Sequence, residues 1–144
     1  NANLVEDSAA GTIIDDDIAT VSLGYGPAVV EGNLGMTMMT FTVTLSLPTA
    51  FPVTVDYYTQ SGVGGTFATP GVDYEDVSGT LTFAAGETEK TFTVTIYGDL
   101  VEEVDEYFGA YIINAYPVSI YGSASTGYIL DDDNIRVVLP VIIK

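Results

Sequence analysis

Threonines and large apolar side chains alternate along much of this chain, and this period-two pattern constrains the fold more than any other feature. Residues 39–47 read MTFTVTLSL, and residues 91–97 read TFTVTIY. Successive side chains of a strand point to opposite faces, so each run predicts a strand with one apolar face and one solvated, threonine-rich face. Shorter alternating runs occur at residues 53–58 and 80–83. The 3.6-residue period of a helix is not evident in any of these runs.

Turn-forming segments separate the runs and set the spacing of the strands. GPAVVEGNLG at residues 26–35, QSGVGG at 60–65 and YGSAS at 121–125 are rich in glycine, proline or serine. Strand-like runs recur roughly every 10–15 residues, which predicts an all-β fold: an antiparallel β-sandwich of about seven strands. The run YFGAYII at 107–113 is apolar on both faces, as is typical of a central strand.

The apolar faces of the predicted strands define the expected core. Inward-facing side chains should come from every strand, because both sheets of a sandwich contribute to its interior. The expected core residues are Val21, Leu23, Phe41, Val43, Leu45, Val55, Tyr57, Leu81, Phe83, Phe92, Val94, Ile96, Phe108, Ala110 and Ile112.

Composition excludes several classes of function. The chain has 144 residues, as expected of one domain, and carries 20 acidic against 3 basic residues, for a formal net charge of −17. Such a surface repels phosphate backbones and anionic lipid, so we expect no nucleic-acid partner, and the apolar runs are too short for membrane insertion. With no cysteine and no histidine, the chain has no thiolate or imidazole metal site and no Ser–His–Asp catalysis.

Acidic residues are concentrated where the strand-like runs end. They include two DDD triplets, at residues 15–17 and 131–133, and acid-rich segments at 73–76 and 99–106. Alternate strand ends meet at one pole of a sandwich, so acids that are distant in sequence can converge there. Ca²⁺ prefers six to eight oxygen ligands and fits such a cluster. The alternative is a set of ordinary solvated acidic loops.

Three stretches of the chain closely resemble the Calx-beta domain family. They are VDY at 55–57, TPGVDYEDVSGTLTFAAGETEKTFTVTIYGDLVEEVDEYFGAYI at 69–112 and GYILDDD at 127–133, and the likeness extends over residues 18–134. The resemblance implies a seven-stranded immunoglobulin-like β-sandwich that binds Ca²⁺ at one pole. It also implies the ligands, which by matching position are Glu31, Asp73, Asp99, Glu103, Glu106, Asp131, Asp132 and Asp133. One departure is Gly98, where strongly calcium-binding family members have an acid, and its loss predicts a weaker site or one ion fewer.

The N-terminal segment repeats the end of the domain. Residues 1–17, NANLVEDSAAGTIIDDD, parallel residues 114–133, NAYPVSIYGSASTGYILDDD. We interpret residues 1–17 as the last strand of a preceding Calx-beta repeat. If that repeat is adjacent in the same array, a cation at the junction would be held by Asp15, Asp16 and Asp17. If the segment pairs instead with another copy, strand addition would use Leu4, Ile13 and Ile14.

The C-terminal segment, residues 135–144, reads IRVVLPVIIK and follows the predicted end of the domain. Apolar side chains left free in water favour association, and Pro140 prevents an uninterrupted central ladder. The segment is therefore expected to dock on a sheet of its own or a neighbouring domain, as an extra strand or as an assembly contact. Its docking residues would be Val137, Val138, Leu139, Val141, Ile142 and Ile143.

These features predict a non-enzymatic, extracellular or cell-surface structural module. It would bind Ca²⁺ and connect to neighbouring copies or repeats of the same fold by strand addition, in a surface or filamentous assembly. One alternative is an adhesion module that recognises another surface protein or a glycan, and another is a calcium sensor. Glycoside hydrolysis by Glu103 and Glu106 would require a cleft and one carboxyl with a raised pKa, and is disfavoured.

Overall fold

The computed structural model describes residues 17–133, which form nine β-strands and no helix. The strands are β1 (Thr20–Leu23), β2 (Ala28–Val30), β3 (Gly35–Leu45), β4 (Val53–Gln60), β5 (Ser78–Phe83), β6 (Glu89–Gly98), β7 (Glu106–Tyr116), β8 (Ser119–Gly122) and β9 (Ala124–Leu130). Accordingly, no helix within these residues is long and apolar enough to cross a bilayer. The predicted junction residues Asp15 and Asp16, and all nine predicted assembly residues, lie outside the described range.

The strands form a two-sheet sandwich, as predicted. One sheet has the order β6-β3-β1-β8 and the other the order β2-β9-β7-β4-β5. The first strand is split into β1 and β2, the last is split into β8 and β9, and each pair of segments crosses from one sheet to the other. Counting each split strand once gives the seven strands that the sequence predicts.

Two strand pairs differ from the antiparallel prediction. β1 pairs with β8 in parallel, and β2 pairs with β9 in parallel, whereas the other pairs are antiparallel. The first and last strands run in the same direction and change sheets together, so both of their pairings are parallel. At this crossing Gly26 lies against β9, and a Cβ there would be 1.4 Å from the carbonyl oxygen of Thr126. Only glycine fits this crossing.

The core follows the alternating pattern closely. Of the expected core residues, only Tyr57 and Leu81 are partly rather than fully buried, and Leu81 lies on the edge strand β5. The prediction missed seven buried hydrophobic residues: Ala19, Met39, Val53, Ala68, Tyr74, Val118 and Ile129. As predicted, β7 is the central strand of the five-stranded sheet, although on its outward face Tyr107 and Tyr111 are only half-buried and Ile113 is exposed.

Aromatic rings form a continuous series through the core. Tyr57 stacks on Phe92 at 4.3 Å between ring centroids, and Phe92 stacks on Phe41 at 5.1 Å. Phe41 meets Phe108 edge-on at 6.0 Å, and Phe108 stacks on Tyr74 at 4.2 Å. The series links the two sheets and ends at Tyr74, next in sequence to one of the predicted calcium ligands.

Strand register defines the two ends of the sandwich. β3 runs antiparallel to β6, with Gly35 opposite Gly98 at one end and Thr44 opposite Glu89 at the other. The first of these ends, which we call the acidic pole, includes the loops at 31–34, 61–77, 99–105 and 131–133. The other end, which we call the opposite pole, includes residues 17–19, 46–52 and 117–118. The described chain therefore begins at the opposite pole and ends at the acidic pole.

Candidate metal centre

Four loops bring their carboxylates together at the acidic pole, and main-chain hydrogen bonds hold the loops at 31–34 and 61–77 in place. Glu31 directly follows β2, and its amide donates to the carbonyl of Leu130 at 3.1 Å. The carbonyl of Asp73 accepts from the amide of Tyr97 at 2.9 Å, which fastens the 61–77 loop to β6. The strand ends thus set the positions of these carboxylates, and acids that are distant in sequence meet at one pole.

The first group of three consists of Glu31, Asp99 and Asp133. One carboxylate oxygen from each lies within 4.8 Å of those of the other two. Glu31 is 4% exposed and Asp133 is 7% exposed. The side-chain amide of Asn33 donates to Asp133 Oδ1, and the backbone amide of Val101 donates to Asp99 Oδ1 at 2.6 Å. The group is therefore largely enclosed and contains carboxylates from three separate loops.

The second group of three consists of Asp73, Glu103 and Glu106, again with ligand oxygens within 4.8 Å of one another. Asp73 is 5% exposed, and its Oδ2 accepts a hydrogen bond of 2.6 Å from the amide of Thr69. Glu106 begins β7, whereas Glu103 lies in the preceding loop. The two groups are close enough to interact: besides burial, the charge of Glu103 raises the pKa of Glu31, and the charge of Glu31 raises the pKa of Glu106.

Burial and mutual repulsion make several of these carboxyls weak acids. Burial, reinforced by the charges of Asp99, Glu103, Asp131 and Asp133, raises the pKa of Glu31 to about 7. Burial and the neighbouring Asp73 raise the pKa of Glu106 to about 7. The pKa of Glu103 is raised by burial first and then by nearby aspartates. In the absence of a counter-charge, the pole therefore resists full ionisation at neutral pH.

Two buried carboxylate oxygens at the first group have no partner. Among the described residues, Glu31 Oε1 and Asp133 Oδ2 are buried without any hydrogen bond. An unsatisfied buried polar atom costs about 1–3 kcal/mol, and more when it is charged. A hard divalent cation would satisfy both atoms, since it binds carboxylate oxygens. The residues present therefore fit a calcium ion.

The structure distributes the eight predicted ligands unevenly. Six of them, Glu31 included, fall into the two groups of three. Asp131 lies beside them, where its Oδ1 accepts from the amide of Asp133 at 3.1 Å. Asp132 is exposed and accepts from the amide of Gly32 at 3.1 Å, so it belongs to neither group. Asp17 lies at the opposite pole.

Sequence reasoning missed two polar residues that support the groups. Asn33 holds Asp133 through its side-chain amide. Asp105 accepts a hydrogen bond of 3.0 Å from the amide of Asp131 and so orients the 131–133 loop. Asp105 was within the acid-rich 99–106 segment, but only register could distinguish it from Glu103 and Glu106.

Comparison with known proteins agrees with this geometry. The Calx-beta domain family profile matches residues 12–133. The chain belongs to the Calx-beta family. The match begins inside the N-terminal segment and includes Asp15–Asp17.

Solved Calx-beta structures share the fold. The apo form of the Calx CBD1 domain has a TM-score of 0.65 and 28% identity, covering 81% of this chain and all of that one. The calcium binding domain CBD12 of CALX1.1 has a TM-score of 0.68 and 28% identity, covering 78% of this chain and 46% of that one. This chain thus corresponds to about half of CBD12.

Sodium/calcium exchangers are similar over shorter stretches. Sodium/calcium exchanger 1 of Rattus norvegicus is 35% identical over 86 residues, or 60% of this chain and 8% of the exchanger. Sodium/calcium exchanger 2 of Homo sapiens is 42% identical over 60 residues, or 42% of this chain and 6% of the exchanger. The chain therefore spans less than a tenth of these relatives. Calx-beta domains are non-enzymatic modules, which agrees with the prediction that this chain is not an enzyme.

Close main-chain packing explains why position 98 of this Calx-beta domain is a glycine. A Cβ at this position would lie 2.3 Å from the carbonyl oxygen of Gly32 and 2.6 Å from that of Glu31. Two main-chain carbonyls therefore occupy the space into which an acidic side chain would extend. An acid at position 98 requires a different path for the loop at 31–34.

Replacing Gly98 should accordingly destabilise the domain. We expect Gly98→Ala to lower the free energy of unfolding by about 1–3 kcal/mol, because the carbonyls are main-chain atoms that cannot rotate away. Denaturant unfolding in the presence of a chelator measures this. The control is Gly65→Ala, where an added Cβ meets nothing within 4 Å and the change should stay within about 0.5 kcal/mol. Equal effects at the two positions would contradict the steric explanation.

The raised pKa values predict an unusual pH dependence for the calcium-free domain. The pKa of Glu31 is about 7 in the folded chain against an ordinary value of 4.5, so between these values the folded state holds more protons than the unfolded state. Stability should therefore fall as pH rises from 5 to 8, by on the order of 3 kcal/mol from Glu31 alone. Denaturant unfolding in chelator at several pH values measures this slope.

Glu31→Gln is the control for the pH experiment. The glutamine cannot ionise, so this variant should lose much of the slope and should exceed the wild-type stability at pH 8. Stability that increases from pH 5 to 8 in the calcium-free wild type would contradict the prediction.

Proposed function

We propose that this Calx-beta domain is a non-enzymatic calcium-binding module whose acidic pole holds Ca²⁺ at both groups of carboxylates. The observation that carries the proposal is the pair of buried, unpartnered oxygens on Glu31 and Asp133. A bound cation removes the cost of leaving these atoms unsatisfied and of gathering six carboxylates at one end of the domain. The described residues supply the carboxylate oxygens that calcium prefers.

The cation would act as an electrostatic cross-link. Glu31, Asp99 and Asp133 would hold one ion, and Asp73, Glu103 and Glu106 another. Each group joins loops that are far apart in sequence, so a bound ion would fasten the 99–105 loop to β2 and to the end of β9. That loop contains the exposed side chains of Leu100, Val101 and Val104. Calcium would therefore order the pole.

Titration calorimetry tests this proposal directly. We expect the wild-type protein to bind two Ca²⁺ ions, and Glu31→Gln and Glu106→Gln to weaken binding at one group each. Glu89→Gln is the matched control, because Glu89 is an exposed glutamate at the far end of β6. Absence of heat and of any calcium-dependent change in the wild type would disprove the proposal. Uniform effects of all three substitutions would show only a general charge effect.

We further propose that the module works at the cell surface or outside the cell, in an assembly of adjacent repeats or copies. The support is the repeated motif, since residues 1–17 resemble the end of the domain. The similarity to the longer CBD12 structure supports adjacent domains of this kind. In such an array the DDD triplet at 15–17 would lie between two domains, and strand addition would use the residues at 1–14.

A regulatory calcium sensor is the second candidate, and the similarity to sodium/calcium exchangers favours it. A sensor requires a change of shape on binding, whereas a structural module requires mainly a gain in stability. Small-angle scattering of the protein with and without Ca²⁺ distinguishes them. A large reversible change would favour the sensor, and an unchanged profile with higher thermal stability would favour the structural module.

A further inference from the structure

An apolar cleft lies at the opposite pole, away from the carboxylate groups. Its volume is about 500 Å³, and it is formed by the segments 17–19, 47–51 and 117–118. Ile18 is 76% exposed, Phe51 is 48% exposed and Leu47 is 38% exposed. Exposed apolar side chains that line one concave surface are typical of an interaction site. The one carboxylate that lines the cleft belongs to Asp17.

The C-terminal segment together with the preceding Asn134, residues 134–144, has the complementary chemistry. It is largely apolar and contains Arg136 and Lys144, which are two of the three basic residues of the chain, and no acid. The rest of the chain therefore carries one base and all 20 acids. Its base, Lys90, pairs with Glu87 at 3.1 Å. A cationic, apolar segment and a strongly anionic body with an apolar cleft attract one another.

Distance favours a second copy as the source of the segment. Asp133 lies at the acidic pole, and the 11-residue strand β3 that spans the sandwich is about 37 Å long at ~3.4 Å per residue. The 11 residues 134–144 reach at most about 36–40 Å when fully extended. In the same chain, residues 134–144 would have to lie extended along the sandwich for their whole length, so the apolar residues 137–143 would not lie in the cleft.

We propose that the cleft of one copy binds the segment 134–144 of another copy. This inference rests on the assembly role proposed above and names its two surfaces. The contact is head-to-tail: the cleft lies at the opposite pole and the segment begins after Asp133 at the acidic pole, so each bound copy presents a free cleft or a free segment to the next. Contacts of this kind continue into linear chains unless they close into a ring. Calcium should strengthen them, because bound cations reduce the repulsion between highly anionic bodies.

Sedimentation velocity of the full chain in Ca²⁺ tests the proposal. The wild type should form species larger than a monomer as its concentration rises, with mass at least doubling. Phe51→Asp places a charge in the cleft and Ile142→Asp places one in the segment, so each variant alone should remain monomeric. A mixture of the two variants should form dimers and stop there, because only one functional cleft and one functional segment remain per pair. Val63→Asp, at a 99% exposed position near the acidic pole, should assemble like the wild type.

Three outcomes would overturn the proposal. A wild type that stays monomeric at all concentrations means that the segment docks on its own copy or not at all. Assembly abolished by Ile13→Asp but not by Ile142→Asp means that the N-terminal segment fills the cleft. Loss of assembly in Val63→Asp means that added charge alone prevents association. Calcium titration of the same samples separates the two proposals, because ion binding without assembly rejects only this inference, and assembly without ion binding rejects only the calcium site.

Discussion

Chelation of calcium should lower the melting temperature of the domain by roughly 10–20 °C. An ion present at a hundred times its dissociation constant stabilises a folded protein by about 2.7 kcal/mol, so two sites contribute about 5 kcal/mol. For a chain of this length each kcal/mol shifts the melting temperature by about 2–4 °C or slightly more. Calorimetry at pH 7.5 with calcium and then with a chelator measures the difference.

The structure explains why the effect should be large. Without an ion, Glu31 and Asp133 each leave a buried oxygen unpartnered, and the carboxylates at the pole repel one another. A bound ion replaces repulsion among the six carboxylates with attraction of each carboxylate to the cation, because the carboxylates become its ligands. The acidic pole should therefore be the part of the sandwich that opens first in chelator, and hydrogen exchange should locate that opening in the loops at 31–34 and 99–105.

The control is the double variant Glu31→Gln with Glu106→Gln. It removes one carboxylate from each group of three. The two carboxyls that it removes are those whose pKa is raised to about 7. Its calcium-free form should melt higher than the calcium-free wild type at pH 7.5, and calcium should change it little. Magnesium, which demands a tighter octahedral geometry, should stabilise the wild type less than calcium does. Identical melting temperatures with calcium and with chelator would refute the role assigned to the pole.

Phe108→Ala should lower the free energy of unfolding by about 3–5 kcal/mol, the cost typical of a phenylalanine cavity in a core. Phe108 is fully buried on the central strand β7 and contacts both Tyr74 and Phe41. Its loss interrupts the aromatic series between the sheets and removes packing beneath Tyr74. Because Tyr74 adjoins Asp73 and Phe108 lies two residues after Glu106, calcium affinity at the second group should also fall.

Tyr121→Ala is the matched control for this substitution. Tyr121 is an aromatic residue on β8 that is 87% exposed, so its loss should change stability by no more than about 0.5 kcal/mol. Urea unfolding of both variants in saturating calcium and in chelator separates the packing effect from the binding effect. A Phe108→Ala loss below about 1 kcal/mol would mean that the core rearranges to fill the cavity.

The sequence alone determined the class of fold and the class of ligand. Period-two runs produce strands with one apolar face whatever their partners are, so most of the core, from Val21 to Ile112, could be assigned residue by residue. A chain with 20 acids and no cysteine or histidine can offer a metal ion little except oxygen. The acids at strand ends indicated one acidic pole, and the family resemblance named most of its residues.

Only the tertiary structure decided which acids meet. Asp132 and Asp133 are neighbours in sequence, yet Asp133 is buried in the first group with Glu31, whereas Asp132 is exposed and accepts a hydrogen bond from the amide of Gly32. The parallel pairings of β1 with β8 and of β2 with β9 likewise depend on two strands changing sheets together. The need for glycine at position 98 also depends on tertiary structure, because main-chain carbonyls from the loop at 31–34 occupy the space of a side chain there. Local pattern specifies the direction of a side chain within its strand, whereas register and crossing between distant segments specify its neighbours.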